Sequence, residues 1–206
     1  MLKIWGRTNS VNVQKAMWCI GELRLAHERI DAGMAFGKNR EDWYLAMNPN
    51  GLIPVIDDDG FQLWESNAIV RYLAEKHDLG GLCPGDLATR ARAGQWMDWQ
   101  VTALGPPITK VFWELVRTAP EARDPAGTEE AAARCRELFA LLDRALAGGD
   151  YLLGERFTMA DIPAGAMTHR WYALEVEHPE LPNLAQWYAR LCGRSAFRDH
   201  VMLPLS

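Results

Sequence analysis

The sequence predicts an α/β unit over residues 1–78 joined to an all-α unit over residues 87–206. Three observations predict it. Within residues 1–78, short apolar runs alternate with amphipathic helical patterns. From residue 87 onward only the helical period recurs. Between the two, Asp-Leu-Gly-Gly-Leu-Cys-Pro-Gly-Asp at residues 78–86 is a Gly- and Pro-containing linker.

The totals allow this and exclude several classes. A chain of 206 residues holds one large or two small domains, and 49% hydrophobic content supports a sizeable core. Its apolar runs are too short for a membrane span. A formal charge of −5 argues against a nucleic-acid partner. The first residues read as a strand, with no secretory apolar region. Cys19, Cys83, Cys135 and Cys192 show no C-x-x-C and no metal spacing, and the five histidines have no i,i+4 pairing. A cytoplasmic protein with reduced thiols and no metal is expected.

In the first unit, Leu2–Trp5 is a strand and residues 6–12 a polar loop. Residues 13–23 form a helix, with Ala16, Met17, Ile20 and Leu23 on one face. Residues 28–32 are a strand, residues 33–40 a loop and residues 41–47 a weak helix. Residues 48–77 are the most informative stretch. Asn48-Pro49-Asn50-Gly51 is turn chemistry, residues 52–56 an apolar strand, and Asp59-Gly60 a tight hairpin turn into the strand Phe61–Trp64. Glu65-Ser66 then opens a helix whose apolar face carries Ile69, Val70, Leu73 and Ala74. The order β-α-β-α-β-β-α is that of a thioredoxin-like unit. The loop after its first strand, Arg7-Thr8-Asn9-Ser10-Val11-Asn12, lacks the C-x-x-C of dithiol chemistry.

Two details of residues 48–77 point to a ligand. Pro54 cannot donate a ladder hydrogen bond, which leaves the Ile53 backbone free to pair with something else. Glu65-Ser66 gathers a carboxylate, a hydroxyl and unpaired N–H groups at a helix start, an end that favours an anion. A small, acidic, peptide-like ligand fits both.

In the second unit, residues 87–104 are helical, Gly105-Pro106-Pro107 interrupts, and residues 108–117 resume. Residues 119–127 form a loop, and residues 128–147 a long helix ended by Gly148-Gly149. Thr158-Met159-Ala160-Asp161 is a capping box: the Thr158 hydroxyl accepts from the Asp161 N–H and the Asp161 carboxylate from the Thr158 N–H, with Phe157 and Ile162 as a hydrophobic staple. Residues 183–192 are a further helix and the remainder a short tail.

The run strand–Pro–strand–turn–strand–Glu-Ser–helix resembles the glutathione transferase family, and the Thr158–Asp161 box resembles that at the start of a buried helix in the family's all-helical domain. The likeness spans nearly the whole chain. It implies a thioredoxin-like glutathione-binding domain over residues 1–78 and a helical domain over residues 87–206 that contributes the second-substrate pocket. It implies a cis Ile53–Pro54 bond, Ile53 pairing with the cysteinyl backbone of glutathione, and Glu65 and Ser66 holding its γ-glutamyl end. Asn39 aligns best with the side chain the family uses on the glycine carboxylate. Arg7, Trp113, Trp171 and Tyr172, with Trp5 and Phe112, are candidates for the second pocket. Trp96 and Trp99 suit packing or the interface of an expected homodimer.

The chemistry requires a thiolate. Bringing a free thiol from about 8.5 to about 6.5 takes about 2.7 kcal/mol of preferential stabilisation. One hydroxyl donor and the positive end of a helix are of that size. The resemblance places the sulfur-activating residue at Ser10, with Asn12 two positions on, a pattern of bacterial hydroxyl/Asn-type relatives closer than the Ser-x-Pro of serine-type members. Ser10 reads equally as an ordinary helix cap. The implied activity is a glutathione transferase that directs the thiolate of its co-substrate onto a small electrophile. The alternatives are a disulfide or peroxide reductase using two glutathiones, and a non-catalytic binding module.

Overall fold

A computed structural model describes residues 1–206. The first unit is a four-stranded sheet of β1 (Leu2–Trp5), β2 (His27–Ile30), β3 (Val55–Asp58) and β4 (Phe61–Trp64) in the order β2-β1-β3-β4. β1 runs parallel to β2 and antiparallel to β3, and β3 and β4 form a hairpin. Asp59 and Gly60 both take positive φ at its tip, as a tight two-residue turn requires. α1 (Val11–Glu22) and α3 (Ser66–His77) pack together, while α2 (Asp42–Met47) belongs to a small separate core of Trp5, Ala32, Tyr44 and Val55. The predicted loop over residues 33–40 contains a short 3-10 turn, Met34–Phe36.

The second unit contains α4 (Leu87–Trp99), α5 (Gly105–Phe112), α6 (Pro125–Ala145), α7 (Asp161–Tyr172), α8 (Pro182–Cys192) and α9 (Ser195–His200). Three expectations change. Gly105-Pro106-Pro107 does not interrupt the helix. A π turn, Gln100–Leu104, carries α4 into α5, and Gly105 donates to the Gln100 carbonyl five residues back. Widening the helix there accommodates two residues that have no N–H and whose rings would meet the carbonyls four back. α1 starts at Val11 rather than residue 13, which puts Asn12 in its first turn. The predicted C-terminal tail contains α9, whose Phe197 is fully buried.

One continuous core of 43 buried residues joins the units, and α1 lies at its centre between α3, α7 and α9. Trp18 of α1 is fully buried with its ring 5.4 Å from Phe157 and 4.6 Å from Phe197. Beside it, Arg194 makes a two-point ion pair with Glu22, both contacts at 2.7 Å. The capping box differs in one bond. Thr158 N–H donates to Asp161 at 2.9 Å as expected, but the Thr158 hydroxyl accepts from Ala160 N–H, and Asp161 N–H goes to the Thr158 carbonyl. The chain turns tightly enough before α7 for the backbone carbonyl to take that bond. Phe157 is packed on Trp18 and Tyr151.

Candidate active site

The edge of β3 supplies the first part of the site. The Ile53–Pro54 bond is cis. Sheet pairing begins only at Val55, and neither the N–H nor the carbonyl of Ile53 forms a hydrogen bond within the chain. The approach to it is well tethered. The Leu52 carbonyl accepts from Tyr44 Oη at 2.8 Å and Asn48 Nδ2 at 2.9 Å, and the Gly51 carbonyl accepts from Asn39 Nδ2 at 2.7 Å. Asn39 therefore braces this loop with its amide. A free pair of backbone groups on a fixed segment is an arrangement that binds another backbone.

The second part is where two helices begin. Glu65 is held at φ 71° and ψ 112°, a region that costs a non-glycine residue about 1–3 kcal/mol. Its side chain is exposed and makes no cap. Ser66, the first residue of α3, is buried, and its Oγ lies 3.3 Å from Asn12 Oδ1 in the first turn of α1. The starts of α1 and α3 thus meet, each with orphan N–H groups and a positive dipole end. Ser10 precedes α1 in extended conformation, with φ −89° and ψ 120°, and its hydroxyl caps nothing. Its backbone carbonyl takes the Gln14 N–H, so the residue forms the helix boundary while the side chain stays unused.

The third part is a cavity of about 490 Å³ between the units, within the usual range for a small-molecule site. Arg7 and the Met34–Phe36 turn close one side, Trp113 and Arg117 the other, with Ser206 at the rim. Trp113 is 47% exposed. Of the aromatic candidates only Trp113 lines this cavity. Trp171 is 1% exposed, stacked on Phe139 at 5.4 Å, and its place in the hydrophobic core removes it from the list. Tyr172 packs on Tyr188 and His178 near the end of α7, Trp5 belongs to the small core, and Phe112 lies beneath the wall. Sequence reading missed Phe36, Arg117 and Arg170. They come from separate segments, and only the cation–aromatic content of Trp113–Arg117 gave any signal.

The electrostatics behind this cavity are one-sided. Burial and then the charge of Arg117 lower the Arg7 pKa. Arg170 is brought down to about 10 by burial, then by Arg117 and Arg7. The Phe112 ring lies 4.1 Å from the Arg170 guanidinium and 5.0 Å from that of Arg117. Lys15, fully buried in α1, donates to Gln100 Oε1 at 2.7 Å. Burial, then Arg170, lower it to about 7, while Glu65 pulls it up.

A thioredoxin-like unit with a free backbone pair after a strand, two converging helix starts and a cavity against a helical unit defines a class suited to a small, acidic, peptide-like ligand. Residues 1–75 match the family model described as glutathione S-transferase, N-terminal domain, and residues 125–190 that of the C-terminal domain. The chain is 42% identical to glutathione S-transferase GstB of Escherichia coli K12 over 208 residues, covering all of both proteins. It is 27% identical to glutathione S-transferase D6 of Drosophila melanogaster, covering 91% of this chain and 85% of that one. A theta class glutathione S-transferase of Xanthomonas axonopodis pv. citri, solved with glutathione bound, superposes with a TM-score of 0.96 at 45% identity, covering 100% and 99%. The chain belongs to the glutathione transferase family. It is a glutathione transferase, with glutathione as its co-substrate.

Proposed function

We propose that Ser10 and Asn12 activate the glutathione sulfur and that Ile53, Glu65 and Ser66 hold the rest of the tripeptide, in the manner of a hydroxyl/Asn-type member. The observation that carries this is the contact between Ser66 Oγ and Asn12 Oδ1, which ties the γ-glutamyl end of the site to the sulfur end. The unpaired Ile53 backbone lies on the same unit and would take the cysteinyl backbone. A hydroxyl donating to a thiolate contributes about 1.5–3 kcal/mol. The start of a helix adds about 0.3–1 kcal/mol. Together they supply the roughly 2.7 kcal/mol that ionisation near neutral pH requires. Asn39, through the loop it braces, would set the glycine end. On this reading residues 1–78 bind glutathione, and residues 87–206 contribute Trp113 and Arg117 opposite Arg7 to the pocket for a small electrophile.

The test is Ser10→Ala. Turnover of an aryl halide should fall about tenfold or more, roughly 1.4 kcal/mol in the barrier, with the melting temperature unmoved, because the hydroxyl makes no bond in the folded chain. Unchanged turnover would remove Ser10 as the donor, and a parallel loss in Asn12→Ala alone would move the role there. Running the same variants on a glutathione-capped disulfide tests the reductase reading, in which a second glutathione resolves the product.

A homodimer is proposed on the half-buried Trp96–Trp99 pair, centroids 5.3 Å apart, and on exposed Phe61, Trp64 and Val101. A monomeric mass by light scattering at micromolar concentration would refute it. The four unpaired cysteines support a cytoplasmic site of action, which cell fractionation checks.

A further inference from the structure

We propose that the cavity between the units takes electrophiles that carry a carboxylate, read by Arg117 together with Arg7 and Arg170. This deepens the proposed pocket and rests on its being the second-substrate site. Two guanidiniums, of Arg7 and Arg117, line it and that of Arg170 lies behind the wall, and none of the three pairs with an Asp or Glu side chain, although ten ion pairs occur elsewhere in the chain. Arg7 donates only to Asn9 Oδ1, at 2.8 Å, and Arg117 only to the Ser206 main-chain oxygen, at 2.9 Å. Arg170 is 6% exposed, forms no hydrogen bond or ion pair, and leaves its Nε without a partner; Arg7 Nε is likewise orphaned.

Burying a charge without a partner is costly, and like charges side by side add to the cost. Stacking on Phe112 offsets only part of it. An anion in the cavity would compensate all three groups at once. Arg117 can present its fork bidentately to a carboxylate, and Arg170 would act through the field behind the wall. Beside the arginines, Asn9 and Ser206, the lining is Met34, Ala35, Phe36 and Trp113, an apolar surface that suits a hydrophobic body. The shape of the ligand follows: an aryl or alkyl electrophile whose anionic group points to Arg117 and whose reactive carbon faces the sulfur at Ser10. Attack by the thiolate forms the carbon–sulfur bond and expels the halide with its bonding electrons, and the carboxylate is unchanged.

The experiment compares 4-chloro-3-nitrobenzoate with 4-chloro-3-nitrobenzamide. Each kcat/KM is divided by the uncatalysed rate constant with glutathione at the same pH, which removes their different intrinsic reactivity. The full-length protein should prefer the benzoate by about tenfold, equivalent to about 1.4 kcal/mol. Arg117→Gln and Arg170→Gln should each reduce that preference at least several-fold. Arg117 lies half exposed on a turn, so its variant is informative even if Arg170→Gln fails to fold. No preference in the unmodified protein overturns the proposal. So does a preference intact in Arg117→Gln, including the case in which that variant loses only glutathione affinity, since the arginines would then serve the co-substrate. Should neither compound turn over, the sulfur reading fails, and calorimetric titration with unreactive 4-methyl-3-nitrobenzoate and its amide still decides: tighter benzoate binding that Arg117→Gln abolishes supports the anion site, and equal binding refutes it.

Discussion

Lys15 occupies an unusual environment for a lysine. It sits in the middle of α1, fully buried, with a neutral amide as its only hydrogen-bond partner. Its pKa is lowered from 10.5 to about 7 by burial and then by Arg170, against the pull of Glu65. The sign follows directly. Between about pH 7 and 10.5 the unfolded chain binds a proton that the folded chain does not, so this group makes stability rise with pH across that window. Its contribution is complete above 10.5 and is lost as pH falls through about 7. Lys15→Met removes the dependence. The stability difference between the parent chain and Lys15→Met, from urea unfolding, should shift in the parent's favour from pH 7 to 9, by at most about 1.4 kcal/mol per pH unit. A flat difference would place Lys15 outside this account. Its surroundings also explain what could be read in advance. Ser10, Ile53-Pro54 and Glu65-Ser66, the residues proposed for the glutathione site, each stand in a short motif at a strand or helix start and so were legible, whereas the Ser66–Asn12 contact that joins them was not. Lys15, Arg117 and Arg170 meet only because α1, the end of α5 and α7 pack together, and no spacing records that. Trp171 misled for the same reason: an aromatic side chain on a helix looks alike in sequence whether its face meets the cavity or the core.

Among the elements, α7 shows how one side chain organises several segments. Asp161 is fully buried at the helix start and accepts from Thr158 N–H at 2.9 Å, Leu152 N–H at 3.0 Å and Trp187 Nε1 at 2.9 Å. Burial pushes its carboxyl up to about 6, and these donors hold it ionised at neutral pH against that push. The capping motif was legible, since its residues are three apart, but the reach to Leu152 and to Trp187 of α8 was not. That reach changes the expected magnitude. Asp161→Ala strands three buried donors at about 1–3 kcal/mol each, so it should cost at least about 3 kcal/mol. At roughly 2–4 °C per kcal/mol for a chain of this size, melting should fall by about 6–12 °C. Thr158→Ala loses the hydroxyl's two long bonds, from Ala160 N–H and to Asp161, both at 3.3 Å, and should cost about 1 kcal/mol. Equal losses in the two variants would show that the cap alone matters. Helix continuity through Pro106 and Pro107 was illegible for a related reason. Proline ends a regular α-helix by rule, and only the register of the Gln100–Leu104 π turn, set by packing around Gln100, avoids the conflict.

For the whole molecule, the boundary that composition draws at residues 78–86 does not separate two cores. α1 belongs to the sheet by sequence, yet Trp18 and Ile20 are fully buried and Met17 nearly so, with Trp18 enclosed by Phe157 and Phe197 from beyond the linker. A Cβ at Gly165 would come within 2.9 Å of that indole, so α7 approaches α1 as closely as a glycine permits. Polar bonds cross the same seam: Glu22 with Arg194, Asn67 Nδ2 with the Met97 carbonyl at 2.7 Å, and Met159 N–H with the Leu82 carbonyl at 2.8 Å. Cutting at residue 78 would expose the indole and leave the Glu22 carboxylate without its guanidinium. Residues 1–78 expressed alone should therefore lack fixed tertiary structure, giving collapsed amide chemical-shift dispersion, while the full chain unfolds in one transition in which tryptophan fluorescence and far-ultraviolet circular dichroism coincide. Trp18→Ala should cost about 3–5 kcal/mol and lower both signals together. Two separated transitions, or a well-dispersed spectrum from residues 1–78, would mean that the units are independent. On the proposed reading the coupling bears on catalysis, because Ser10 at the start of α1 and the cavity wall are both carried by elements that α1 holds in register. A change at the α1–α7 seam far from the sulfur should consequently raise the barrier by misplacing the electrophile relative to the thiolate, a loss in kcat larger than the loss in glutathione affinity.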